Sequence, residues 1–494
     1  MELRSLTLNL FIAAAGAGLL SFPFANLQQG ILTTVSCTLV FAALTVFTDT
    51  VLIQTAALFR GAITARPTFD GLVHAALGKR HGDQAAAAVV LGTLGGLVGY
   101  FIVLGDVTIG PLTAACGGAP SCAWLGSRAL MVPLLALVVV LPLAALPAMS
   151  KLGHSSLLGT LTVLFVGGVV VGKGIVEVAG GGLEVVGATA GAPGADGPPS
   201  VVLSRWAFSP FIVGVPVAIF ALGNHTQVVP LFMEAPPGSA ASKGVLRAVL
   251  GAVGACVVLY LLTGAAGYVA FRTATKGDVL LNLGNNGLGA AAQAVLALHI
   301  LCAFPVMMFP GRESVREGAR VAAVALGAAG GLRGAAAAAL GALAGSPFAA
   351  AAVLVLSTAC ASVLFPQVAV VFGLIGATVA TYECHFVPGL FLLRWADAME
   401  GGGGEQWAVA RELWPADAGE EAAAERPLLM QVARAATDET QQPSGGWSGD
   451  ELPHFLATNR PKLLRAQGWI LITLSALVAV VGTGTFVFST WLQA

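Results

Sequence analysis

Charge is what this sequence has least of. Asp, Glu, Lys and Arg together make up 10% of its 494 residues, where a soluble domain carries about a quarter. That scarcity excludes an ordinary soluble enzyme and a disordered chain. An excess of basic residues is also missing: the formal net charge is −1, so no basic stripe is available for a phosphate backbone, and a nucleic-acid partner is excluded. The seven cysteines lack CxxC or Cys/His spacing, which argues against a structural metal site and against a disulfide-stapled secreted domain. No HExxH, GxSxG or matched carboxylate pair is present to suggest an enzyme. What the chain does have is apolar sequence: 56% hydrophobic residues and a mean hydropathy of +0.85. That combination points to an integral membrane protein with many spans.

A span needs about 20 apolar residues, because the hydrocarbon core is about 30 Å thick. Eleven segments qualify: 5–27, 30–58, 85–110, 129–149, 155–176, 207–232, 246–271, 287–310, 347–365, 368–393 and 468–491. They are too long and too continuously apolar for the alternating strands of a lipid-facing barrel. With the N-terminus placed in the cytoplasm, inside loops hold 19 Lys and Arg and outside loops hold 5, as the positive-inside rule requires. The N-terminus resembles a signal peptide in its small residues Ala13–Gly18, but Pro23 and the immediate start of the next span argue for a retained helix. The expected organisation is a ten-helix core over 1–393, with an Ala/Gly-rich cytoplasmic linker, partly helical or not, at 311–346. An acidic, partly disordered cytoplasmic loop follows over 394–467, then an eleventh helix within 468–494. Residues 178–205 are Gly/Pro-rich and are expected to form a flexible outer loop. The 394–467 loop holds 12 of the 25 acids and is a candidate surface for a cytoplasmic partner.

Function is suggested by where helices break. Unsatisfied backbone in lipid costs several kcal/mol per group, so breaks survive around a cavity or ligand. In the first span Gly16 and Gly18 weaken the helix midway and Pro23 removes a backbone bond near Leu19. In the sixth, Pro216, Gly223 and Pro230 bracket a polar Gly-Asn-His centre. Matched interruptions opening the two halves of a five-plus-five arrangement point to a midplane substrate site. The N–H end of a broken helix suits a carboxylate and the C=O end suits an ammonium or a cation. A zwitterionic amino acid needs both. The competing reading is that Gly and Pro merely permit close packing or kinks.

Several segments carry a family resemblance: GAGLLSFPFA at 16–25, GLVGYFIVLGD at 96–106, ALGNHTQVVPLFMEAP at 221–236, YLLTGAAGYVAF at 260–271, FPVMMFPGRES at 304–314 and VFGLIGATVATYECHFVPGLFLL at 371–393. Each is loose alone; together and in order the chain resembles the amino acid/auxin permease family, including system A/N neutral and proton-coupled amino acid transporters. The resemblance implies an all-α integral membrane fold with a LeuT-like 5+5 inverted-repeat core, discontinuous helices 1 and 6, and an eleventh helix. It also implies alternating access and symport of an amino acid with Na⁺ or H⁺, with no other cofactor. By motif position Gly16, Ala17, Gly18 and Leu19 would present backbone to the substrate carboxylate, with Phe220, Gly223 and Asn224 on the opposite wall. Tyr100 sits where a third-helix residue faces the site, although a packing tyrosine is the other reading.

Sodium-coupled relatives tend to carry an Asn and a Thr at positions that here hold Ile12 and Ala303. Aliphatic side chains cannot coordinate Na⁺, which tilts the expectation toward H⁺ coupling. Buried ionisable residues are then the candidate proton carriers: His225, His299, Glu383 and Asp49, with His385 beside Glu383. Glu383 and Asp49 are expected in the cytoplasmic half, within reach of water. Asp106 is expected to be a solvated acid at the outer boundary, and Glu234 a gate or solvated turn. Ser21 and Ser314 are read as polar lining or as partners for helix termini. Cys116 and Cys122 share an outer loop, as a disulfide or as two free thiols. The site lacks a clear fixed charge for a substrate side chain, which favours neutral amino acids. The membrane is the plasma membrane or a vacuolar or lysosomal one. An amino-acid sensor of the same fold, signalling through 394–467, is the alternative.

Overall fold

The computed structural model describes residues 3–15, 18–64, 67–117, 120–144, 153–181, 183–189, 200–205, 208–235, 239–284, 287–327, 332–400 and 461–493. Most of the 394–467 segment therefore lies outside the described residues. Nine helical stretches among those described are long and apolar enough to cross a membrane. The first expected span is two helices, α1 (Leu3–Ala14) and α2 (Gly18–Gln29), and α3 (Ile31–Leu58) follows directly. A short amphipathic helix, α4 (Phe69–Leu77), precedes the long α5 (Lys79–Ala115). The fourth span is α6 (Arg128–Leu135), a π-helical turn at Ala136–Val140 and α7 (Leu141–Ala144). Next come α8 (Gly153–Ala179), then α9 (Phe208–Leu222) and α10 (His225–Glu234), which together form the sixth span. The remaining helices are α11 (Ser239–Phe271), α12 (Leu280–Leu283), α13 (Gly287–Leu326), α14 (Leu332–Gly345) and α15 (Pro347–Leu364). The tenth span runs from α16 (Val368–Ile375) through π-helical turns at Gly376–Ala380 and Tyr382–Phe386 into α17 (Val387–Glu400), and α18 (Pro461–Gln493) ends the bundle.

Large apolar side chains face outward along these helices. Val176, Val324, Leu364 and Val480 are 70%, 77%, 74% and 74% exposed, which is tolerable where the surroundings are lipid rather than water. Inside, one apolar cluster gathers α1, α3, α4, α10 and α11. A second gathers α5, α8, α13, α15 and α16.

Among its described residues the 311–346 linker is largely helical: α13 continues to Leu326 and α14 packs back along it. Alanine is the best helix former, and Arg316 and Arg320 are accommodated by Glu313 and Glu317 one turn away. Arg316 also donates to the Ala344 carbonyl at 3.1 Å. The 178–205 segment is not simply a flexible loop. Strands β1 (Glu184–Thr189) and β2 (Ser200–Arg205) pair in parallel, their valines supplying β propensity that the intervening Gly/Pro composition hides. Asp106 is not freely solvated: its side chain is 12% exposed and accepts from Arg128 at 2.6 Å. Cys116 and Cys122 are joined as a disulfide.

Candidate functional site

The two helix breaks meet. A Cβ on Gly18 would stand 2.7 Å from Cβ and 3.0 Å from Cα of Ala221. Only a residue without a side chain lets α2 start that close to the end of α9. The last carbonyls of a helix have no partner of their own, and here Tyr260 of α11 serves both broken ends. Its hydroxyl reaches the Ala14 carbonyl at 2.6 Å and the Ala221 carbonyl at 3.0 Å. Phe22 stacks on the Tyr260 ring, with centroids 4.5 Å apart. The far side of the sixth-span break is fixed from α16: Gly376 lies so near the Pro216 carbonyl that no side chain fits. Thr381 donates across the π-helical turn to the Gly376 carbonyl at 2.5 Å.

Beside this junction is a cavity. Of the residues expected to bind substrate, Gly18, Tyr100, Phe220 and Gly223 line it. Leu19 is buried in the first turn of α2. Asn224 caps α10, and neither its amide nitrogen nor its oxygen finds a partner. Gly16 and Ala17 lie outside the described residues. The cavity also takes in Ile12 and Ala303, and it extends along α5 from Tyr100 through Thr93 to Val89. From Tyr100 to Val89 the wall follows α5 for about 16 Å toward the Lys79 end of that helix. Phe220 and Phe372 stack with centroids 4.3 Å apart at the other end of the cavity.

The expected proton carriers separate into groups. His225 lines the cavity at the start of α10, and its Nε2 lies 2.7 Å from Thr48 Oγ1 and 3.5 Å from Asp49 Oδ1. Asp49 is fully buried behind it, not open to water as expected. Glu383 is also buried, yet it lines the cavity beside Gly92, with Oε1 unpartnered. His385, on the same π-helical turn, has no hydrogen-bond partner at either ring nitrogen. His299 stands apart from the cavity lining, with Nδ1 3.2 Å from the Gly159 carbonyl.

Away from the cavity, the segment before α12 holds α2. Val279 N donates to the Leu20 carbonyl at 3.2 Å, and Ser21 donates to the Gly277 carbonyl at 3.0 Å. Ser21 is thus a tether rather than cavity lining. Ser314 is buried without a partner for its hydroxyl. Asp278 in the same segment accepts from Leu280 N at 2.9 Å. Burial pushes its carboxyl up from an ordinary 3.8 to about 7. The folded state therefore binds this proton more tightly than the unfolded one. The stabilisation is full below pH 3.8, is lost as the pH rises toward about 7, and is gone above it. Thermal melting across that interval should fall with rising pH in the wild type and flatten in Asp278→Asn. At the end of α10, Arg60 donates to the carbonyls of Met233 and Ala235, and its guanidinium lies over Phe232.

Sequence reasoning missed Tyr260, Thr93, Met307 and Gln227. Tyr260 had a signal: it is one of four tyrosines in the chain, and a phenol inside an apolar span needs a partner. Thr93 and Met307 had none, because their neighbours in α5 and α13 are mostly apolar and do not mark which side meets the cavity.

A bundle of membrane-length apolar helices, with two of them broken in contact beside an internal cavity, defines a multi-pass membrane protein. The family model described as transmembrane amino acid transporter protein matches residues 2–400. The chain belongs to that family. It is 26% identical over 316 residues to human solute carrier family 38 member 8, covering 62% of this chain and 66% of that protein. It is 25% identical over 316 residues to zebrafish sodium-coupled neutral amino acid transporter 7, covering 62% of each chain. It is 24% identical over 324 residues to the amino acid transporter AVT6E of Arabidopsis thaliana, covering 62% of this chain and 61% of that protein. The matched region spans just under two thirds of the length of these relatives.

Proposed function

We propose that the protein moves neutral amino acids across a membrane by alternating access, in a five-plus-five inverted-repeat core of ten helices plus an eleventh. The observation that carries this reading is the contact of the two breaks at Gly18 and Ala221 beside the cavity. At that junction the first N–H groups of α2 are free of intrahelical partners and would receive a carboxylate. Substrate ammonium would turn toward the carbonyl ends of α1 and α9 and the Asn224 amide. Gly16, Ala17 and Leu19 complete the proposed backbone cradle. The cavity runs toward one end while the Val279–Leu20 bond and the Phe220–Phe372 stack cover the other, which supports a state open to a single side. With the N-terminus in the cytoplasm, that side is the inside. The membrane is a plasma or vacuolar/lysosomal one.

The coupling ion is proposed to be H⁺. Ile12 and Ala303 put aliphatic side chains on the cavity wall, and the ionisable groups beside it are Glu383 and His225. Its zebrafish relative is named for sodium coupling, so the two ions must be tested separately. The test is uptake of labelled amino acids into proteoliposomes with H⁺ and Na⁺ gradients imposed in turn. Accumulation of neutral amino acids under a pH gradient is expected. Failure of every amino acid tried to accumulate or exchange would refute transport. The acids concentrated in 394–467 favour a second reading, in which that segment signals amino-acid binding to a cytoplasmic partner. Asp397 and Arg465 pair at 2.6 Å, so residues 401–460 can be deleted with the flanking helices still clasped. On the transport reading the deletion leaves uptake intact; on the sensor reading it leaves binding and removes signalling.

A further inference from the structure

Asp49 and His225 form a buried ionisable pair that helix packing alone does not explain. Asp49 lies on α3 and His225 opens α10, the helix that begins at the sixth-span break. Their side chains are 0% and 1% exposed. Neither Asp49 oxygen makes a full hydrogen bond, although the Asn224 amide stands next to the carboxyl. Among the described residues, His225 is the ion-pairing partner of Asp49. A lone carboxylate at this depth costs far more than any packing gain, so the group must be paired or protonated.

We infer that the Asp49–His225 pair is the site that carries the coupling proton, with His225 passing it between the cavity and Asp49. The inference rests on the transport reading and deepens it. Three charge states are available to the pair. With no added proton it carries −1, and with two it carries +1; both leave an uncompensated charge in the apolar interior. With one proton it is neutral, whether written as an acid beside an imidazole or as a carboxylate beside an imidazolium. The closed intermediate that carries substrate therefore holds one proton, the pair gives it up when water reaches it, and the empty carrier, its cavity filled by water in place of substrate, returns without it. In a cycle, the pair takes a proton from water on the acidic side and returns the same proton to water on the other, alternating between charge 0 and −1.

The geometry supplies the route. His225 lines the cavity and its Nδ1 is unpartnered, while its Nε2 faces Thr48 and Asp49. One ring nitrogen faces the buried acid; the other, itself buried, has no partner and in the inferred route exchanges its proton with cavity water. The geometry also supplies the coupling: Gly223 and Asn224, on the proposed substrate wall, immediately precede His225. A substrate that draws in the unwound segment moves the start of α10, and the imidazole with it.

The other charged groups on elements packed against the pair occupy different roles. Glu383 and His385 lie on the adjoining π-helical turn, and His385 is near enough that two charged imidazoles would repel. That repulsion further disfavours a second proton on the pair. Asp70 and His74 belong to α4, Lys243 and Arg247 to the N-terminal part of α11, Arg394 and Asp397 to α17, and Arg4 to α1. Arg60 is engaged with the carbonyls at the end of α10.

The experiment compares exchange with net accumulation. Wild-type, Asp49→Asn and His225→Gln proteins, each checked for monodispersity in detergent, are reconstituted with the membrane potential clamped. Labelled L-glutamine, L-alanine and L-serine are the probes. One proton per substrate lets a one-unit pH gradient drive about tenfold accumulation. The wild type is expected to approach that ratio. Asp49→Asn is locked neutral, so it should retain counterflow while its accumulation ratio falls to about one, and its counterflow should lose pH dependence. His225→Gln should likewise lose accumulation, and it carries the test if Asp49→Asn does not fold. Accumulation within about twofold of wild type in either folded variant would overturn the assignment. So would loss of counterflow together with accumulation in both, which would make the pair part of substrate binding. So would pH-driven accumulation lost in His299→Gln but kept in Asp49→Asn, and so would a wild type that exchanges yet ignores the pH gradient. A wild type without counterflow for any probe would instead overturn the transport reading, and the assignment with it.

Discussion

Replacing Gly18 with tryptophan is expected to abolish amino acid uptake while the protein still inserts and folds. The position is where α2 starts against Ala221, with 2.7 Å left for a single added carbon. An indole there must fill the space where the two breaks converge and where the cavity begins. The smaller change Gly18→Ala separates the broken ends by a few tenths of an ångström or more. Misplacement of a binding group by about 1 Å can cost about a hundredfold, so Gly18→Ala should lower uptake by about tenfold or more while retaining most stability. Surface expression and chromatography in detergent separate folding from transport. Wild-type uptake in a well-folded Gly18→Trp protein would mean that substrate does not pass this junction.

Tyr260→Phe is the second large effect. The phenol hydroxyl is the shared donor to the Ala14 and Ala221 carbonyls, and Phe keeps the ring stacked on Phe22 while deleting that donor. A buried acceptor left without a partner costs about 1–3 kcal/mol. Here cavity water can replace part of the loss, so the melting temperature should fall modestly. Uptake should fall further, by about tenfold, because the carbonyl ends proposed to face the substrate ammonium are no longer held in one geometry. A Tyr260→Phe protein with unaltered uptake and melting would show that the two carbonyls need no common donor.

The break points were legible in the sequence because glycine is chemically explicit. Gly18 stands at the first and Gly223 at the second, where the helices stop at Ala14 and Leu222, whereas Pro23, Pro216 and Pro230 lie within helices that continue through them. The cavity wall was legible only where a break supplied it. Gly18 and Phe220 could be named in advance, whereas Thr93 and Met307 sit among mostly apolar neighbours within α5 and α13, where no polar stripe indicates which face meets the interior. Glu383 was legible as an intramembrane acid but not as a cavity residue, since the π-helical turns of the tenth span change the angle at which it projects. The valines of β1 and β2 were masked by their Gly- and Pro-rich surroundings, and Asp106 read as solvated because its partner Arg128 lies 22 residues away. Local composition reports breakers well. It reports poorly which charges a sequence-distant partner will satisfy.

The small β-sheet holds the turn between α2 and α3. Gly30, at positive φ, comes within side-chain distance of the Leu203 backbone, Thr33 and Ser204 share a hydrogen bond of 2.9 Å, and Val202 N donates to the Tyr268 hydroxyl at 3.0 Å. Any tilt of α2 must drag this strand along or tear it loose. An antibody fragment clamped on the strand would then work as a brake applied from the surface, stalling turnover without competing for the ligand.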